Sequence, residues 1–285
     1  MKPKFKYQFM FVLCFGILAT CLMIKPATAY AAGAGNEPEG ILTLTKDTIY
    51  EYDLNGDGTT EKLQYQLSGD EDQYKAILKV YINDKLCLTK EDDGFSFGVR
   101  LLDLDQNDNS LDLFLYTTME SDCVKNAFFA RYNGEKLAKY ADFDIEKLAK
   151  DFNTYRYSLA QLDGDGKFTI VIDTPKYSPA IGCYYCYMPF QLKDGKVTVI
   201  PVKTYTLTKE SGKYLYKAAK LFNVYEKAGS KKVVYQVKKG ARVTFDKMAI
   251  SKSGKVYCRV KNSKGKTGWI KSDQEYLFVT TPAWG

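Results

Sequence analysis

Three clusters of oxygen-bearing side chains recur with a regular spacing. In the first, Asp53, Asn55, Asp57 and Glu61 occupy positions one, three, five and nine of a loop. Gly58 at position six permits a sharp turn, and Thr59 offers its backbone carbonyl. Donors at such intervals converge on one point, and hard oxygen ligands in this number select Ca2+. The loop is not an EF-hand, because position twelve is Gln64 and its flanks are β-prone. In the second, Asp103, Asp105, Asn107 and Asp112 can converge, with one extra residue before the last donor. In the third, Asp163 and Asp165 remain, while Gln161 and Thr169 replace the outer acids. The expected capacity for Ca2+ falls with the ligand count from the first loop to the third. Asp, Asn and Gly are also turn formers, so a purely structural reading stands beside the metal reading.

The elements that must hold these loops repeat with them. A hairpin turn follows each one, at Asn83-Asp84, Asn133-Gly134 and Asp194-Gly195. The turn lies 28 residues after Asn55, 28 after Asp105 and 31 after Asp163. A spacing held that closely indicates one supersecondary unit, repeated. Apolar and β-branched runs bounded by turn residues predict four strands per unit. The units cover residues 41–94, 95–150 and 154–203. Between the second and third, Ile145, Leu148, Ala149 and Phe152 fall at helical spacing. Four-stranded antiparallel units in series predict an all-β, propeller-like arrangement of three blades. Closed propellers usually have at least four blades. The three therefore form an incomplete compact arrangement, or a further sheet comes from elsewhere in the chain.

Charge divides the chain. Residues 30–200 carry 29 Asp+Glu against 18 Lys+Arg, and residues 201–285 carry 5 against 19. The first part suits cations and the second suits anionic polymers. The two parts also suit one another, which gives a structural alternative. Residues 204–285 read as five or six short strands, in a length that suits a small closed barrel. Trp269, Tyr225 and Tyr257 either form an aromatic groove edged by Lys or, for Trp269, pack into the barrel core. An exposed aromatic groove grips a peptide or glycan by stacking, with charge adding salt-sensitive affinity.

The beginning of the sequence has the character of an export signal. Lys2, Lys4 and Lys6 precede an apolar run over 9–24, and Ala27-Thr28-Ala29 is a small-x-small cleavage site. Residues 1–29 are thus expected to be removed, and the small, polar residues 30–40 to form a flexible leader. The apolar run is short for a span of about 20 residues, and no second one follows, so no membrane span is expected after cleavage. Leu18-Ala19-Thr20-Cys21 approximates a lipobox, with Thr20 a poor fit. Five Cys follow the signal: Cys87, Cys123, Cys183, Cys186 and Cys258. An odd number cannot pair completely within one chain. Cys183-Tyr184-Tyr185-Cys186 has redox or zinc spacing but lacks a second ligand pair or a βαβ setting. A local disulfide or two buried thiols are expected there.

The loop motif, strand then Asp53-Leu54-Asn55-Gly56-Asp57-Gly58 with Glu61 then strand, resembles the FG-GAP/VCBS repeats of integrin-alpha-type propellers. The resemblance covers residues 41–203. It implies a Ca2+-steadied scaffold or an extracellular recognition surface. Residues 220–279 resemble the bacterial SH3 domain. The matching segments are Phe222-Asn223-Val224-Tyr225, Val237 to Val243, Tyr257 to Val260 and, most specific, Gly265-Lys266-Thr267-Gly268-Trp269-Ile270 before Tyr276-Leu277. That resemblance implies an SH3-like β-barrel and binding of cell-wall peptides or polymers. Tyr225 stands where the family usually has Arg, which removes a polar contact.

The chain contains no His. Ser-His-Asp and Cys-His catalysis and most zinc hydrolase sites are thereby excluded. No Gly-rich phosphate loop sits between a strand and a helix. No catalytic residues are assigned. The expectation is a secreted or wall-associated, non-catalytic binding protein of a Gram-positive-like envelope. The alternative is a carbohydrate-active enzyme or its accessory, using a carboxylate pair. Expected partners are a cell-wall peptide or anionic polymer, or a protein or glycan. Nucleic acid is not expected, because the basic residues spread along the whole module.

Overall fold

Alternating apolar and polar residues place one face of a strand against a core and leave the other toward solvent. The alternation is clear in strands such as 75–82 and 185–193, whereas 112–115 and 127–130 are buried on both faces. The computed structural model describes residues 38–70 and 72–283. The expected signal at 1–29 and most of the leader at 30–40 lie outside the described residues.

The chain opens with β1 (Ile41–Thr43). The first repeat then supplies β2 (Tyr50–Tyr52), β3 (Glu61–Asp70), β4 (Lys75–Ile82) and β5 (Lys85–Asp93), paired in that order. The second supplies β6 (Ser96–Leu102), β7 (Asp112–Thr118), β8 (Val124–Tyr132) and β9 (Leu137–Phe143). β1 adds to the β6 edge of this sheet and makes it five-stranded. The helical spacing after β9 becomes a single turn, α1 (Ile145–Leu148), with the Asp144 side chain accepting from the Lys147 amide. The third repeat supplies β10 (Tyr157–Leu162), β11 (Lys167–Asp173), β12 (Tyr185–Lys193) and β13 (Lys196–Val199). The expected meander of four strands per repeat is therefore present three times, all antiparallel.

The turns follow from residue type. Asn83 and Asp84 both have positive φ (50° and 63°), as do Asp194 (51°) and Gly195 (70°). Two successive left-handed residues match the twist of paired strands, and Asn, Asp and Gly tolerate that conformation best. The middle hairpin differs. Tyr132 pairs with Leu137, and Asn133 caps the longer loop by accepting from the Glu135 and Lys136 amides.

Residues beyond 203 form β14 (Tyr205–Thr206), the short helix α2 (Lys209–Lys213), β15 (Tyr216–Lys217), β16 (Phe222–Tyr225), β17 (Val233–Val237), β18 (Arg242–Ile250), β19 (Val256–Asn262) and β20 (Thr267–Lys271). The pairing path is β14-β18-β19-β20-β16-β17, with β15 also on β18. The expected closed barrel is not formed. At its β14 end the sheet meets the third repeat. Leu207 bridges to Cys186 of β12, and the Thr208 amide donates to the Tyr185 carbonyl.

One apolar cluster runs through the second and third sheets into the last one. Phe129, Phe143, Phe168 and Phe190 form its aromatic spine, with Phe143–Phe190 centroids 5.1 Å apart. Tyr216, Phe245 and Phe278 continue it, and the Tyr216 hydroxyl donates to the Ile181 carbonyl. Burying one such ring contributes roughly 1.5–3 kcal/mol. The junction between acidic and basic parts thus rests on rings and backbone hydrogen bonds. Among the described residues no helix is long and apolar enough to cross a membrane.

Candidate functional site

The three Asp loops lie side by side at one end of the sheets. The first and second loops each hand a backbone carbonyl to the next repeat. The Leu54 carbonyl accepts from the Leu111 amide, and the Leu104 carbonyl accepts from the Gly166 amide, both at 2.9 Å. In each case the donor directly precedes the second strand of the following repeat. Further bonds reinforce the stack: Ser110 Oγ to the Asn55 carbonyl at 3.3 Å and the Gln106 amide to the Gly164 carbonyl at 2.9 Å. Gly56 is required at this contact. Its φ is +77°, and a Cβ there would meet Asn109 Cβ at 2.6 Å.

Within the first loop the expected ligands serve the loop itself. Asp53 accepts from the Gly56 and Gly58 amides, both at 2.8 Å. Asp57 accepts from the Asn55 side-chain amide at 2.9 Å and the Thr59 amide at 2.7 Å. Those bonds hold the Asp57 carboxyl below the ordinary carboxylate range. Glu61 is buried and accepts from the Leu54 amide at 2.8 Å. Burial pushes its carboxyl up, and the charges of Asp57 and Asp53 add to the rise.

In the second loop Asp105 accepts from the Asn107 amide and side chain, at 3.0 and 2.8 Å. Asp112 lies elsewhere. It starts β7, directly opposite Arg131 on β8, and is fully buried. Arg131 reaches its two oxygens through Nε and Nη2, each at 2.9 Å, and holds Asp108 through Nη1 at 2.8 Å. The Tyr140 hydroxyl donates to Asp112 at 2.7 Å. Burial pushes Asp112 upward against the pull of these bonds. In the third loop Asp163 accepts from Gln161, and Asp165 pairs with Lys167. The all-oxygen donor set of the first loop has the chemistry Ca2+ requires, but its side chains are turned to loop amides. Among the described residues, no three Asp, Glu, Cys or His side chains gather around a common point.

A groove of about 1010 Å3 opens at this end, lined by all three loops and by the turns at Asn133 and Asp194. Asp105 and Asp165 face each other across a β-bridge beside it. Sequence reasoning missed the Arg131–Asp112–Tyr140 cluster on its wall. The available signal was a cation following the apolar run 127–130 of β8.

The second site is in the last sheet. Tyr225 of β16 pairs with Trp269 of β20, and Tyr257 of β19 pairs with Lys271 two residues farther along β20. Opposite positions and i, i+2 positions share a face. Tyr225, Tyr257 and Trp269 therefore line one groove, of about 400 Å3. All three are half-buried, so Trp269 belongs to the groove rather than the core. Gly268 lets β20 approach β16, since a Cβ there would meet Val224 Cγ1 at 2.5 Å. Lys227, Lys231 and Lys271 also line the groove, with Asn223, Ser230 and Gln274 as neutral polar groups. Lys271 pairs with Asp273. Lys227 and Lys231 are exposed and enter none of the ion pairs of the described residues. Arg259, opposite Trp269, is held by Asp246 at 2.6 and 2.8 Å.

The five described cysteines are unpaired, so the Cys183–Cys186 disulfide is not formed. Cys186 and Cys258 are buried, and desolvation pushes both thiols up to about 12, which makes them inert core groups. No family model, no curated protein and no solved structure matches this chain.

Proposed function

We propose that this is an exported, non-catalytic binding protein that attaches to an anionic wall polymer or wall peptide through the groove of the last sheet. The observation that carries this reading is the convergence of Tyr225, Tyr257 and Trp269 on one face, with Lys227 and Lys231 at its edge. Aromatic faces supply contact area at low entropic cost, and unpaired cations supply salt-sensitive attraction. The surrounding module is strongly basic, which concentrates anions near the groove. The open sheet around it is read as a variant of the bacterial SH3 arrangement, and the three preceding repeats as propeller-like blades that serve as scaffold.

Co-sedimentation of the full mature chain with purified cell wall tests the reading. Retention at low salt and release at high salt are expected. Trp269→Ala should weaken binding by about 2 kcal/mol, as for an interface anchor. Wall retention unchanged by that substitution, or no retention at low salt, overturns the proposal.

Ca2+ belongs to this reading only at the first loop. Asp53, Asp57 and Glu61 would have to exchange amide hydrogen bonds for the ion, with Asn55 and the Thr59 carbonyl completing the set. A calorimetric Ca2+ titration that Asp57→Ala leaves unchanged removes it. The catalytic alternative draws little from the large groove, whose Asp105, Asp108 and Asp165 are engaged by neighbouring groups.

A further inference from the structure

Arg100 occupies a setting that the binding reading does not use. It lies on β6, at the interface between the second sheet and the third. Its side chain bounds a cavity of about 210 Å3 together with Phe114, Tyr116, Tyr157, Leu159 and Asp122. The guanidinium sits 5.8 Å from the Tyr116 ring centroid. Gly98, the next residue on that face of β6, makes room for the ring, since a Cβ there would meet Tyr116 Cζ at 2.1 Å. A guanidinium has five N–H donors in a planar fork. One of them reaches the Leu159 carbonyl, on the outer edge of β10, at a long 3.4 Å. The buried Nε has no partner, and among the described residues no carboxylate forms an ion pair with Arg100.

The walls are mixed. Phe114, Tyr157 and Leu159 are buried and supply most of the apolar surface, while Thr118 and Ser158 add hydroxyl groups. Asp122 is exposed, on a 3-10 turn, and so sits at the rim rather than the floor. The cavity is smaller than the roughly 300–1,000 Å3 of sites for larger ligands. A planar fork with a buried, unpartnered Nε calls for a carboxylate, the rings of Phe114 and Tyr157 call for a short hydrocarbon body, and an anionic rim calls for a cation. An apolar α-amino acid carries all three within that volume.

The geometry points to a site for a free apolar amino acid, with its carboxylate on Arg100, its side chain between Phe114 and Tyr157, and its ammonium toward Asp122. This site is remote in sequence from the aromatic groove of the last sheet and does not depend on the function of that groove.

The test is an NMR titration of the full mature chain with L-leucine, followed by 4-methylpentanoate and 3-methylbutylamine. Leucine is expected to shift the resonances of Tyr116 and Tyr157 saturably at millimolar concentration. The acid, lacking the ammonium, should bind a few-fold more weakly, and the amine should not bind. Arg100→Lys keeps the charge but loses the fork, and should weaken leucine binding about tenfold. Asp122→Asn, on an exposed turn that leaves the fold intact, should remove the preference for leucine over the acid. Absence of saturable shifts, leucine binding unchanged by Arg100→Lys, or an acid that binds as tightly as leucine to the unaltered protein each overturns the proposal.

Discussion

At the loop end, polar groups are consumed by the fold; in the groove of the last sheet, they are left for something else. Asp53, Asp57 and Asp105 accept from amides of their own loops, and Asp112 is closed off by Arg131 and Tyr140. The three loops are then fastened to one another by carbonyls of Leu54 and Leu104. In the groove, Lys227 and Lys231 extend into solvent beside half-buried rings. Both regions are rich in charge, so charge alone does not mark a binding site. What separates them is whether each polar group already has its partner, because a group that has one must give that bond up before a ligand can stabilise it.

The largest effect is expected at Arg131. Arg131→Met leaves Asp112 buried with Tyr140 as its remaining donor, and should cost about 3 kcal/mol of stability. Urea denaturation measures it, and wall binding should be unaffected. The double variant Arg131→Met with Asp112→Leu should recover most of the loss. If the single variant is as stable as the wild type, the cluster is not what holds this end together.

Glu61 gives a smaller effect with a built-in control. Glu61→Ala strands the buried Leu54 amide and should destabilise by about 2 kcal/mol. Glu61→Gln retains an acceptor and, since burial already disfavours the charge, should cost well under that. Equal losses in the two would mean that the charge, not the hydrogen bond, matters there.

Replacing Lys227 and Lys231 by Gln should reduce low-salt binding by about 1 kcal/mol, the scale of exposed pairs. The loss should vanish at high salt, and thermal stability should not move. Binding with an undiminished salt slope would shift the electrostatic contact to another part of the module.

The smallest effect is at Asp57. Its carboxyl is held below 3.8 by Asn55 and Thr59. A depressed acid stabilises the fold above its unfolded value and loses that contribution as pH falls through the folded value. The melting-temperature difference between wild type and Asp57→Ala should therefore shrink as pH drops below about 3.8. A difference that stays constant across that range would exclude the shift.

Much of the architecture was legible because its causes are local. Apolar and β-branched runs such as 75–82 and 185–193, bounded by turn residues, mark strands, and one face of each is buried. Asn83-Asp84 and Asp194-Gly195 mark hairpins because few other pairs accept two positive φ values. For Tyr225, Tyr257 and Trp269 the residue types left two placements open, a groove or, for Trp269, the core, and register on β16, β19 and β20 selects between them. The fate of Asp112 and the partner of Cys186 were not legible. Each depends on a residue brought opposite by register, Arg131 across the β7–β8 ladder and Leu207 across a bridge between sheets.

Residue order by itself settled that this chain makes short antiparallel strands, repeats a four-strand unit with an acidic loop, and separates its negative and positive charge along its length. Tertiary structure decided which charges are already neutralised, that the last sheet remains open and meets β12, and that Arg100, outside the ion pairs of the described residues, borders a cavity with Phe114, Tyr157 and Leu159. Strand and turn preferences act over a few residues, whereas the pairing of a buried polar group depends on which strand lies beside it.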